Sequence, residues 1–117
     1  PYYIRLKSGE PFGMAGLWDR WEKAEHPIES CAILTCDANE AMRAIHDRMP
    51  VIIPPESFDR WLDAGSNDVS RLLRPFDVDE MTTYPVSTLV NSVRNESEKC
   101  VEPIQAGEKQ TRLFGAD

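Results

Sequence analysis

Several familiar features are missing from this sequence, and each absence narrows the field. No run approaches the ~18 consecutive apolar residues of a membrane span, and no charged-then-apolar leader is visible, so no membrane association is expected. Cysteine is scarce. Cys31, Cys36 and Cys100 form no C-x-x-C pair, which argues against a zinc site or a disulfide framework, and no metal or cofactor is expected. Cys31 and Cys36 fall in one expected strand at an odd separation, so they should face opposite sides and stay unpaired. A reducing cytoplasm suits them. Basic residues are also short: thirteen Lys and Arg face twenty Asp and Glu, a net charge of -7. A non-specific nucleic-acid binder would carry the opposite balance, so any phosphate contact must come from a few local arginines.

What is present suits one small soluble domain, with 41% hydrophobic and 28% charged residues and no repeat or low-complexity run. Tyr2 to Leu6 reads as a strand and Phe12 to Trp18 as its hairpin partner, turned by Gly9 and Pro11. Asp19 to Ser30 is polar and reads as a surface loop containing a solvated His26. Cys31 to Cys36 is apolar on both faces and reads as a central strand. Val51 to Ile53 reads as a short buried strand. Pro54-Pro55 opens a helix whose Phe58, Trp61 and Leu62 share a core face before Gly65. Asn67 is placed to cap a further short helix with Val69, Leu72 and Leu73 inward. Met81 to Tyr84 reads as a last strand, and Pro85 to Asn91 as a turn into an irregular or briefly helical piece. The pattern is α+β: a mixed, mostly antiparallel or barrel-like sheet with flanking short helices. Trp18 and Trp21 read as packing residues.

The most informative stretch is Ala44-Ile45-His46-Asp47-Arg48-Met49-Pro50. Asp37 and Glu40 resemble a capping box, and Ala38, Met42 and Ile45 follow at helical spacing. Met49 precedes a proline, so the helix should end near His46, at the negative end of the macrodipole. An imidazole there is equipped to give or take a proton near neutral pH. It serves equally well as an ordinary C-terminal capping residue. Cys36 and His46, with one helix between them, would lie about 15 Å apart at ~1.5 Å per residue, too far for a nucleophile and its base unless the chain folds back.

Pro1-Tyr2-Tyr3-Ile4, Ala15-Gly16-Leu17-Trp18, Ile33-Leu34-Thr35, Ile45-His46-Asp47-Arg48-Met49-Pro50, Pro85-Val86-Ser87 and Val90-Asn91 stand in an order and spacing that resemble the SOS response-associated peptidase (SRAP) family. The resemblance runs from Pro1 to about Ile104. It implies a DNA-repair domain that cross-links to abasic sites in single-stranded DNA. There an N-terminal cysteine forms a Schiff base with the ring-opened sugar aldehyde, and its thiol closes a thiazolidine. By position His46 matches the acid/base of that chemistry, and Thr35 and Arg48 match positions beside the bound strand. The resemblance also implies autoproteolytic removal of an initiator methionine. The family's Met-Cys-Gly-Arg start, active-site asparagine and F-Y-E-W-like glutamate lie upstream of anything corresponding to Pro1. Residues 1–104 are thus expected to be the C-terminal part of one SRAP-like domain, an incomplete one, and 105–117 a flexible tail. Without that nucleophile the alternative is a non-catalytic interaction module or an inactive fragment. In the tail, Gln110, Leu113 and Phe114 form a Gln-x-x-Leu-Phe pattern like the peptides that dock on the bacterial sliding clamp.

Overall fold

The computed structural model describes residues 1–66 and 68–105. Three stretches of chain organise it. Each bends once and pairs antiparallel with both of the others. Strand β3 (Gly16–Trp21) pairs with β4 (Ile28–Ile33), β5 (Thr35–Asp37) with β6 (Arg48–Pro50), and β7 (Ile52–Ile53) returns to β2 (Gly13–Met14). The bends meet in a ring of backbone hydrogen bonds. The Leu34 amide donates to the Ala15 carbonyl at 2.9 Å, Ala15 to Val51 at 2.8 Å, and Val51 to Leu34 at 2.9 Å. Ala15 is fully buried where the three backbones converge, with Val51 beside it at 1% exposure.

The core sits against this corner. Met49, Val51, Ile52 and Ile53 are buried together with Met42, Leu72 and Met81, and Ile4, Leu6 and Trp61 pack on them. The first strand does not pair with the second, as the hairpin reading expected. Strand β1 (Tyr2–Leu6) pairs instead with β8 (Met81–Pro85), and the Tyr3 and Tyr84 rings meet at 5.5 Å. Strand-forming residues mark an extended segment but carry no record of its partner. Gly9, at φ +78°, turns the chain out of β1 into a different layer.

Other expectations change in the same way. Residues 19–30 are not a loop: Asp19 to Trp21 pair with Ile28 to Ser30, leaving only residues 22–27 as the connection, with His26 exposed there. Cys31 and Cys36 lie on either side of the bend at Leu34 rather than in one central strand, although one is exposed and the other buried, as expected. The β3–β4 ribbon stands exposed on both faces, with Trp18 74% and Trp21 56% accessible, so these are not packing residues. In the helix α2 (Phe58–Leu62), which follows a 3-10 turn opened by Pro55, Trp61 packs on the core but Leu62 is 77% exposed. Ser70–Leu72 is a 3-10 turn with Leu72 buried and Leu73 exposed, and the expected cap Asn67 lies outside the described residues. The last strand and the brief 3-10 turn Thr88–Asn91 stand where expected. The whole is α+β, built of short antiparallel strand pairs with few short helices, and none of its described sheets closes into a barrel.

Candidate functional site

Between β5 and β6 the chain makes one helical turn, α1 (Glu40–Arg43), and comes straight back. Its cap is Asn39, not Asp37. The Asn39 side chain accepts from the Met42 amide at 3.0 Å and donates to the Phe76 carbonyl at 2.9 Å, which ties the turn to the segment leading into β8. Asp37 is free for another task because it belongs to strand β5, directly opposite Arg48.

His46 follows the turn. Its amide donates to Met42 O at 2.9 Å, the last bond of the turn, and its side chain is exposed. A helix of four residues has little macrodipole, so the imidazole is held by something else. The Arg48 amide donates to His46 Nδ1 at 2.9 Å. An Nδ1 that accepts leaves the neutral ring's proton on Nε2, so the tautomer is set by the backbone and the ring meets solvent as a donor.

Arg48 links this imidazole to the neighbouring strand. Its guanidinium donates to Asp37 Oδ1 at 2.7 Å through one amino group. Through the other it donates to the Thr35 carbonyl at 2.9 Å and to Thr35 Oγ1 at 3.2 Å. The register that sets Thr35 opposite Pro50 and Asp37 opposite Arg48 makes this fork possible. Thr35, Asp37, His46 and Arg48 thus form one continuous exposed surface. The sequence singled out three of them. The local pattern marks Asp37 as a helix cap; its place beside Arg48 is set by the strand register, which no local pattern carries.

Cys36 faces the other way from this surface. The chain does fold back, so the helix-length estimate of its separation from His46 does not hold. What disqualifies it as a nucleophile is burial, which pushes its thiol above the usual range, against a smaller lowering by Arg48 and a further rise from Asp37. Cavities of about 430, 330 and 260 Å³ are lined by other residues, and His46, Thr35 and Arg48 border none of them. All four residues of the site are exposed on this chain. Gln110, Leu113 and Phe114 lie outside the described residues. No group of three metal-ligating side chains occurs among the described residues, and no helix there is long and apolar enough to cross a membrane.

Fold and surface together define a chain of short antiparallel ribbons presenting a backbone-oriented histidine beside a forked arginine. It belongs to the SOS response associated peptidase (SRAP) family, whose model matches residues 1–93. Over 106 residues it is 43% identical to the abasic site processing protein YoqW of Bacillus subtilis, covering 87% of this chain and 47% of that one. The abasic site processing protein HMCES of Gallus gallus is 40% identical over 100 residues, covering 80% and 29% respectively. A crystal structure of a protein from Bacteroides thetaiotaomicron superposes with a TM-score of 0.78 at 31% identity, over 90% of this chain and 48% of that one. The chain therefore spans about half the length, or less, of the relatives it matches.

Proposed function

We propose that this chain supplies the proton-transfer histidine and the phosphate-contacting side of a domain that captures abasic sites in single-stranded DNA. The observation that carries the reading is the hydrogen bond from the Arg48 amide to His46 Nδ1. It holds the ring with Nε2 outward, where a donor can stabilise the alkoxide that develops as an abasic sugar opens to its aldehyde. Arg48 and the Thr35 hydroxyl provide donors of the kind that hold phosphate oxygens beside such a sugar. The exposed rings of Trp18 and Trp21 add faces on which unpaired bases can stack, a contact worth about 1–3 kcal/mol per base elsewhere. An open surface suits a strand laid across it better than a small enclosed substrate. Attack on the aldehyde is assigned to an N-terminal cysteine of the family kind, and the setting to the cytoplasm.

The test is incubation of the full-length protein with single-stranded DNA carrying one abasic site, followed by denaturing electrophoresis. The expected result is a shifted band that survives denaturation and is absent with an intact oligonucleotide. DNA binding without such a band would instead mark a non-catalytic module. As part of the same reading, Gln110, Leu113 and Phe114 dock on the sliding clamp. A peptide of residues 105–117 should bind the clamp and lose that binding on combined Leu113→Ala and Phe114→Ala replacement; a peptide with no affinity refutes it.

A further inference from the structure

The Arg48 guanidinium, read above as a phosphate contact, already holds an anion of its own. Asp37 Oδ1 takes one amino group at 2.7 Å, with the two side chains 86% and 48% exposed. An ion pair so open to water is weak and readily exchanged, because solvent screens the attraction and both side chains lose freedom in making it. The other amino group is gripped twice by Thr35, through its carbonyl and its hydroxyl. The orientation of the guanidinium therefore does not depend on Asp37. What Asp37 does is occupy the amino group that Thr35 leaves free, and set a negative charge beside it.

We propose that Asp37 is a built-in competitor for phosphate at Arg48, a specificity device that weakens capture of any passing DNA backbone. It rests on the reading of Arg48 as a phosphate contact. A strand must displace the carboxylate, so only DNA held by further contacts stays long enough to react. This also gives the acidic balance of the chain a local use: the arginine is screened until a competing anion is positioned against it.

The experiment measures binding of the full chain to a fluorescent oligothymidine without an abasic site, across a series of NaCl concentrations, by anisotropy. Asp37→Asn removes the charge and keeps the shape. It should bind roughly fourfold tighter at low salt, within the range for removing one exposed, screened ion pair that competes for the guanidinium. The slope of log K against log salt should steepen, because the site that meets the phosphate then carries one more unit of net positive charge. Asp37→Glu, which restores the charge, should return to the wild-type value. In an Arg48→Gln background the gain should vanish, since the competition has lost its object. No tightening in Asp37→Asn, or an equal gain in the Arg48→Gln background, overturns the proposal. The two readings fail separately: if Arg48→Gln binds like the wild type, the phosphate contact itself is wrong and takes this inference with it. If Arg48→Gln weakens binding but Asp37→Asn gains nothing, only the competitor role falls.

Discussion

Ala15→Leu should lower the stability of this chain by about 2–4 kcal/mol, seen as an earlier midpoint in urea unfolding followed by circular dichroism. Ala15 is fully buried where three backbones converge, and the ring of hydrogen bonds through Ala15, Leu34 and Val51 leaves no slack for added methyl groups. Overpacking alone typically costs about 1–3 kcal/mol, and loss of one bond in the ring adds roughly 1 kcal/mol more. Against a total of the order of 5–15 kcal/mol for a native domain, this is a large fraction. A comparison site outside the corner separates the effect of crowding there from the ordinary effect of changing an apolar side chain. Leu17→Ala, two residues along at a position 56% exposed, should shift the midpoint by less than about 0.5 kcal/mol-equivalent. An unchanged midpoint for Ala15→Leu would mean that the corner has room and that the three bent strands are not what locks the fold. The consequence reaches the candidate site, since β5 and β6 leave the corner directly from Leu34 and Val51.

The corner also explains which features were legible beforehand. Most extended segments could be found from their residue types, and the buried Val51-Ile52-Ile53 run and Met81 to Tyr84 stand where expected. Partners could not be found, because pairing β1 with β8 is a choice between segments about eighty residues apart in sequence, invisible to any local pattern. The β3–β4 ribbon was missed for a different reason. It is exposed on both faces, so it lacks the alternation that marks a half-buried strand, and its charges look like a loop. Arg20 in fact pairs across the ribbon with Glu29 at 3.3 Å. At the site, His46, Arg48 and Thr35 were picked out by resemblance, but the bond orienting the imidazole comes from a backbone amide, which every residue but proline has. Asp37 and Asn39 are both good cap residues, and only the strand register, which keeps Asp37 in β5 opposite Arg48 and starts the helix at Glu40, decides that Asn39 is the cap.

Replacing His46 with alanine should slow formation of the abasic-site adduct by about 10²-fold or more, the usual contribution of a positioned acid/base, while leaving the unfolding midpoint nearly unchanged. The second part follows from exposure: the ring is solvent-facing, and its one described side-chain bond, accepted from the Arg48 amide, can be replaced by water. The first part follows from that same bond, which aims Nε2 outward in a fixed tautomer. Single-turnover rates measured on the full-length protein between about pH 5 and 9 separate chemistry from packing. The wild-type rate should depend on pH as a general acid or base requires, giving a bend in the profile, and His46→Ala should lose that bend. His46→Gln sharpens the test. Its amide can still hydrogen-bond an oxygen but cannot transfer a proton, so it should recover part of the rate while remaining without the bend. A variant that keeps both the wild-type rate and the wild-type pH profile would reduce His46 to the residue that ends a four-residue turn. In that event the surface shared by Thr35, Asp37 and Arg48 would be a place where DNA is held, with the chemistry done elsewhere.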